Sequence, residues 1–259
     1  MDAFMAEAWE ADTTKTVKDA LVEKIAVIGE NLNIRRFEKV TAENGVVVPY
    51  IHGGGRIGVL VVADTDVVND EIKAALKNVA MQVAAMNPQY ISRNDISDEE
   101  LAKLREITVD SALNDATTLP KPILNKLIDK AINEKLWSDD DINNFNEHKN
   151  NMNYVWNFLS DAAKAKLGEL AMADKESIVA EKMFNGLVEG RVSKQLKEIC
   201  LLDQTYVKAE DGKQSVAKYL ESVSKDLTIT EMVRFEVGEG MEKKQEDFAA
   251  EVAAQMAGV

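Results

Sequence analysis

Apolar residues change their period several times along this chain, and each change predicts a change of element. Within the first 28 residues, read as helix, Val17, Ala20, Leu21, Ile25 and Ile28 recur at helical spacing, and Gly29 follows as a C-cap. From Leu32 to Tyr50 the pattern turns β-rich, with Leu32, Ile34, Phe37 and the run Val46-Val47-Val48 split by an Asn44-Gly45 turn signal. Ile57 to Val62 is a second β-branched run. Asp66 to Met86 returns to helical periodicity through Val67, Ile72, Leu76, Val79 and Val83, and Asn87-Pro88 ends it. Strand, strand and helix in that order predict an α+β unit.

From about Asp98 to Glu198 the β signal disappears, and an antiparallel helical arm is predicted. Ser97 with Glu100 reads as a capping box, Leu119-Pro120-Lys121-Pro122 breaks one helix and opens another, and Ser138-Asp139-Asp140-Asp141 reads as a further cap. Apolar β character returns at Leu201, Leu202, Tyr206 and Val207, ahead of a turn at Glu210-Asp211-Gly212-Lys213. A short helix over Ser215–Ser222 and a strand over Ile229–Val237 follow. The pattern then predicts an amphipathic helix from Gly240 to Ala257, with Met241, Phe248, Val252 and Met256 on its apolar side. The fold class expected is α+β: small antiparallel sheets packed with helices, interrupted by a long, coiled-coil-like helical arm and ending in a helix.

Composition narrows the function classes. The 259 residues include 45 acidic and 31 basic side chains, a net charge of −14, which argues against a main task on nucleic acid, where clustered Lys and Arg meet phosphates. The hydrophobic share of 46% suffices for a core. The lone cysteine, Cys200, forms no internal disulfide, and no apolar run approaches the ~20 residues of a membrane span. Met1 to Glu10 carries no basic residue ahead of an apolar block, so it does not read as a secretory signal. A cytoplasmic protein is expected.

The motifs with chemical potential are few. Gly53-Gly54-Gly55-Arg56-Ile57-Gly58 matches G-x-G-x-x-G, but a dinucleotide site needs a helix next, and a strand is predicted there. His52-Gly53-Gly54-Gly55 resembles an esterase oxyanion loop, but the G-x-S-x-G elbow is absent. One Cys and two distant His, His52 and His148, give no zinc pattern, and Asp139-Asp140-Asp141 lacks the ligands of a calcium loop. The glycine run therefore reads as a hairpin tip carrying an exposed histidine for contact. Neither metal nor cofactor is expected.

Several segments, taken in order, resemble the bacterial translation elongation factor Ts family. Ile28-Gly29-Glu30-Asn31-Leu32-Asn33-Ile34-Arg35-Arg36 is similar to its I-G-E-N signature. Tyr50-Ile51-His52-Gly53-Gly54-Gly55-Arg56-Ile57-Gly58-Val59-Leu60 is similar to its Y-x-H-x-x-x-R-I-G-V-L hairpin. Ala80-Met81-Gln82-Val83-Ala84-Ala85-Met86-Asn87-Pro88, Val188-Glu189-Gly190-Arg191, Leu201-Leu202-Asp203-Gln204 and Arg234-Phe235-Glu236-Val237-Gly238-Glu239-Gly240 with Phe248-Ala249-Ala250-Glu251-Val252 continue the match.

The resemblance implies a guanine-nucleotide exchange factor without covalent chemistry. Its partner would be elongation factor Tu, both GDP-bound and nucleotide-free, with no direct nucleic-acid or membrane contact. The implied Tu-binding residues are His52, Gly53, Gly54, Gly55 and Arg56 at the hairpin, Arg35 and Arg36 in the N-terminal subdomain, and Met241, Phe248 and Val252 in the terminal helix. The implied division is 1–45 as the rest of an N-terminal core subdomain, 46–98 plus 200–238 as a C-terminal core subdomain, 99–199 as the helical arm and 239–259 as a terminal helical module. The arm is a candidate surface for self-association. The family's N-terminal ubiquitin-associated-like domain and its Thr-Asp-Phe-Val motif would precede Asp2-Ala3-Phe4-Met5-Ala6, so weakened exchange is expected. Two alternatives stay open: a scaffold that binds Tu without exchanging its nucleotide, and a nucleotide- or ester-handling enzyme built on residues 53–58.

Overall fold

The computed structural model describes residues 1–152 and 154–240, and the chain divides into two units, Met1–Glu43 and the part from Asn44 onward. In the first unit a four-residue helix, α1 (Asp2–Met5), leads into a small antiparallel hairpin of β1 (Ala8–Trp9) and β2 (Asp12–Thr16). Helix α2 (Val17–Ile28) follows. The continuous helix expected over the first 28 residues is thus broken before Val17. The cause is local: Asp12 Oδ1 accepts from the Thr14 amide and hydroxyl, shaping the chain ahead of three threonines with weak helix propensity. A capping box of Thr16 with Asp19 then starts α2, and Gly29, at φ 79°, ends it in the left-handed conformation.

No strand forms over residues 30–42, although Leu32, Ile34 and Phe37 alternate as a strand would. A strand is completed by a hydrogen-bonding neighbour, and none pairs here; Phe37 instead packs its ring on Phe4, with centroids 4.4 Å apart.

The second unit begins with a long antiparallel hairpin, β3 (Gly45–His52) and β4 (Ile57–Asp64). Helix α3 (Asp70–Met86) starts four residues later than the periodicity suggests, because Asn69 is its cap and accepts from the Ile72 amide. Asn87 ends it at φ 47°. The last strand, β5 (Thr228–Glu236), pairs antiparallel with β4, giving the order β3-β4-β5 with β4 central. Helix α3 covers one face of this sheet, and Val48, Val59, Val61, Ala63, Leu76, Val79 and Val83 form its core. Helix α10 (Val216–Val223), capped by Ser215, packs beside α3, and its Leu220 joins the same core. Where a strand was expected near residues 201–207, the chain makes a tight turn at Leu201–Asp203 and then an isolated bridge, Thr205 to Ser215.

Between α3 and that turn the described residues form six α-helices: α4 (Asp98–Asn114), α5 (Lys121–Asn133), α6 (Asp139–His148), α7 (Asp161–Ala173), α8 (Lys175–Ala180) and α9 (Lys182–Ile199). The Ser97–Glu100 capping box and the proline pair at Pro120 and Pro122 act where the sequence places them. The helices pack around their own core, which includes Leu113, Ile123, Ile128, Trp137, Leu167, Phe184 and Val188. Entry to and exit from the insertion run side by side, with Tyr90 and Cys200 bridged in parallel and the Leu201 and Leu202 amides donating to the carbonyls of Tyr90 and Ile91.

Among the described residues, no helix is long and apolar enough to cross a membrane. The expected helix over 240–257, with Met241, Phe248 and Val252, lies outside the described residues.

Candidate functional site

The expected contact residues His52 to Arg56 occupy the tip of the β3–β4 hairpin. The register is unbroken along both strands and closes at His52 opposite Ile57. The turn between them uses three consecutive glycines in the left-handed region, with φ of 60° at Gly53, 66° at Gly54 and 98° at Gly55. A side chain at Gly54 or Gly55 would meet nothing within 4 Å, so glycine is needed there for backbone conformation rather than for space. At Gly53 the Arg56 side chain lies close by, with its Cβ 3.6 Å from where a glycine-replacing Cβ would sit.

The tip is braced from both strands. The Arg56 carbonyl accepts from the Val237 amide at 2.9 Å, which ties the turn to the chain just beyond β5. On β3, the Tyr50 hydroxyl and His52 Nδ1 are 3.0 Å apart, and their rings, tilted 39° to each other, have centroids separated by 5.9 Å. Residues two apart on a strand share a face, so both side chains lie on the α3 side of the sheet. Tyr50 packs against the sheet core and is half-buried, whereas His52 is exposed. On the same face, in the row of Tyr50 and Val59, Arg234 pairs with Glu236, and its guanidinium reaches the Ala84 carbonyl in the last turn of α3. The cation there also complements the helix C-terminus.

The opposite face of the hairpin is apolar. Pro49 and Ile51 are exposed, with Ile51 at 65%, and Ile51 lies over Gly58. Pro49 is tolerated because β3 is an edge strand.

Arg35 and Arg36 lie in the first unit, on the irregular chain after α2, and both are engaged by other groups. Tyr50 is not among the contact residues the sequence implies; the i, i+2 spacing of Tyr and His on one strand is the signal that places it beside His52.

The structure also bears on the chemical alternatives. Strand β4 begins at Ile57, one residue after the glycine run, so the chain does not pass from that loop into a helix N-terminus and the dinucleotide reading lacks its phosphate anchor. An open cleft of about 800 Å³ is lined by Asn78, Lys208 and Tyr219 rather than by the loop. Among the described residues, no group of three His, Cys, Asp or Glu side chains could hold a metal ion. His148 sits in the helical insertion with its ring stacked on Phe158, centroids 3.6 Å apart.

A hairpin-tipped three-stranded sheet packed on α3 and interrupted by a helical insertion defines an α+β protein. The family model described as Elongation factor TS matches residues 1–167 and 157–239. The chain belongs to the elongation factor Ts family. It is 37% identical over 260 residues to elongation factor Ts of Clostridium novyi (strain NT), covering 99% of this chain and 64% of that protein. The Clostridioides difficile (strain 630) relative is 36% identical over 243 residues, covering 93% of this chain and 59% of its own length. That of Clostridium botulinum (strain Langeland) is 34% identical over 259 residues, covering 98% and 64%. The chain therefore spans a little under two thirds of the length of these relatives.

Proposed function

We propose that this chain is the core of a translation elongation factor that binds elongation factor Tu·GDP and promotes release of GDP, so that GTP can replace it. The observation that carries the reading is the braced hairpin tip, seen in a member of the elongation factor Ts family: three left-handed glycines hold His52 and Arg56 at the end of a two-stranded lever. No bond is made or broken in such a reaction. The factor acts by fitting the nucleotide-free form of its partner better than the GDP form. Linkage makes the effect reciprocal: a given weakening of GDP by the factor is matched by the same weakening of the factor by GDP.

In this reading His52 to Arg56 press on the nucleotide-binding domain of Tu. The open sheet face around Pro49 and Ile51 offers apolar area to a second surface of the partner, and Arg35, Arg36, Met241, Phe248 and Val252 belong to further contacts. The protein acts in the cytoplasm, with no cofactor, and the helical insertion serves as a surface for self-association.

The test is release of a fluorescent GDP analogue from Tu, with and without the chain, alongside a pull-down. Accelerated release that falls at least tenfold in His52→Ala supports the reading, because about 1.4 kcal/mol of lost contact changes a rate tenfold. Binding without acceleration leaves a docking scaffold instead.

A further inference from the structure

We infer that Tyr50 is a positioning residue that holds the His52 imidazole in the Nε2–H tautomer, so that the hairpin tip offers its partner a hydrogen-bond donor. Three observations carry this. The Tyr50 hydroxyl lies 3.0 Å from His52 Nδ1. The Tyr50 ring is anchored against the sheet core, in one row with Val59 and Arg234. His52 is exposed, so its Nε2 edge is the one left for solvent or a partner.

The proton assignment follows from acidity. A neutral imidazole carries one N–H, and the hydrogen bond made by one ring nitrogen selects which nitrogen keeps it. A phenolic O–H is far more acidic than a neutral imidazole N–H, so the tyrosine donates and Nδ1 accepts. The proton then sits on Nε2 and points away from the sheet. The group it recognises is an acceptor: a backbone carbonyl, a carboxylate or a phosphate oxygen.

Anchoring also has an entropic effect. An exposed histidine on a strand samples several rotamers, and ordering it on binding would cost affinity. A hydrogen bond to a packed tyrosine fixes the ring beforehand. The importance of the contact to exchange rests on the exchange-factor reading, whereas the tautomer is a property of the free chain.

Two measurements test it, on wild type, Tyr50→Phe and His52→Ala. The first is ¹⁵N NMR of the His52 ring in the free chain. The expected result is an accepting Nδ1 and a protonated Nε2 in wild type, shifting to a mixture in Tyr50→Phe, with unchanged amide spectra elsewhere showing that the fold is intact. The second is GDP release from Tu. Tyr50→Phe is expected to slow release about fivefold, the worth of one modest hydrogen bond, and His52→Ala to slow it further. A protonated Nδ1 in wild type, or wild-type release by Tyr50→Phe, overturns the inference. If wild type accelerates nothing, or His52→Ala matches it, the exchange-factor reading fails and the claimed role in recognition falls with it, while the NMR result still reports the tautomer separately.

Discussion

Single side chains hold the turns of this chain together where burial alone would not. Gln82, fully buried on α3, donates to Gln204 Oε1 and to the Thr205 carbonyl and accepts from the Val207 amide; Gln204 in turn donates to the Glu198 carbonyl. These bonds stitch the chain leaving the helical insertion onto α3. Gln82→Leu would leave the buried Gln204 side-chain oxygen without this donor and free the Val207 amide and Thr205 carbonyl, which lie nearer solvent, and we expect a loss of about 1–3 kcal/mol in urea unfolding. Asp141 plays a related part between two helices. Its carboxylate accepts from the Ser138 hydroxyl at the cap of α6 and from the Ser160 amide and hydroxyl at the cap of α7. Burial alone would raise the pKa of this carboxyl, but the bonds from Ser160 and Ser138 outweigh it and hold it below its ordinary value. A depressed carboxyl stabilises the fold above its unfolded value, and that contribution is lost as the pH falls through the folded value. Asp141→Asn should therefore cost about 1–3 kcal/mol at neutral pH, and the gap to wild type should narrow below about pH 4, as followed by denaturant titrations across pH. Cys200 is fully buried, and burial first, with the Asp203 charge, pushes its thiol pKa up against the opposing effect of Arg93. A thiol reagent should modify it only as the protein unfolds, which a timed absorbance assay in denaturant would show.

At the scale of elements, helix starts are legible where the cap stands at the edge of the periodic run, as at Ser97 and Ser138, but not where it stands inside the stretch read as helix, as Thr16 and Asn69 do. Ser97, Ser138, Ser160 and Ser215 each accept the backbone N–H expected of an N-cap. Strands were read less well, because a strand needs a neighbour and propensity does not name one. Val46-Val47-Val48 found β4, whereas Leu32, Ile34 and Phe37 found no ladder. Close helix approach was hidden for the same reason. At Gly168 on α7, a Cβ would come within 2.7 Å of the Asn114 carbonyl oxygen at the end of α4. Gly168→Ala gains helix propensity but forces the helices apart, and we expect a net loss of about 1–2 kcal/mol.

The whole molecule separates its cores. The helical insertion and the sheet subdomain each bury their own apolar cluster, and a paired entry and exit ribbon joins them. Tryptophan reports on this division: Trp137, buried with its Nε1–H on the Ala163 carbonyl, and Trp156 both belong to the helical core, and Trp9 lies in the first unit. The sheet core carries the stacked pair Tyr206 and Tyr219 in place of a tryptophan. Gly168→Ala should accordingly lower the denaturant midpoint read by tryptophan emission. Amide exchange from β4 should stay as in wild type, and equal loss of protection in both would show that the two cores unfold as one.

By itself, the sequence determined the α+β class, the helix starts at Ser97, Ser138 and Ser215, the glycine hairpin with its exposed histidine and the family resemblance, because each is written in local spacing, capping chemistry or a short motif. The tertiary structure decided the rest. It showed which apolar runs obtain a strand partner, that the helical insertion closes on its own core, that Asp141 joins two caps, and that Tyr50 stands against His52. Each of these depends on groups brought together across the chain or across a fixed pleat, and periodicity along one segment carries no information about what will lie opposite it.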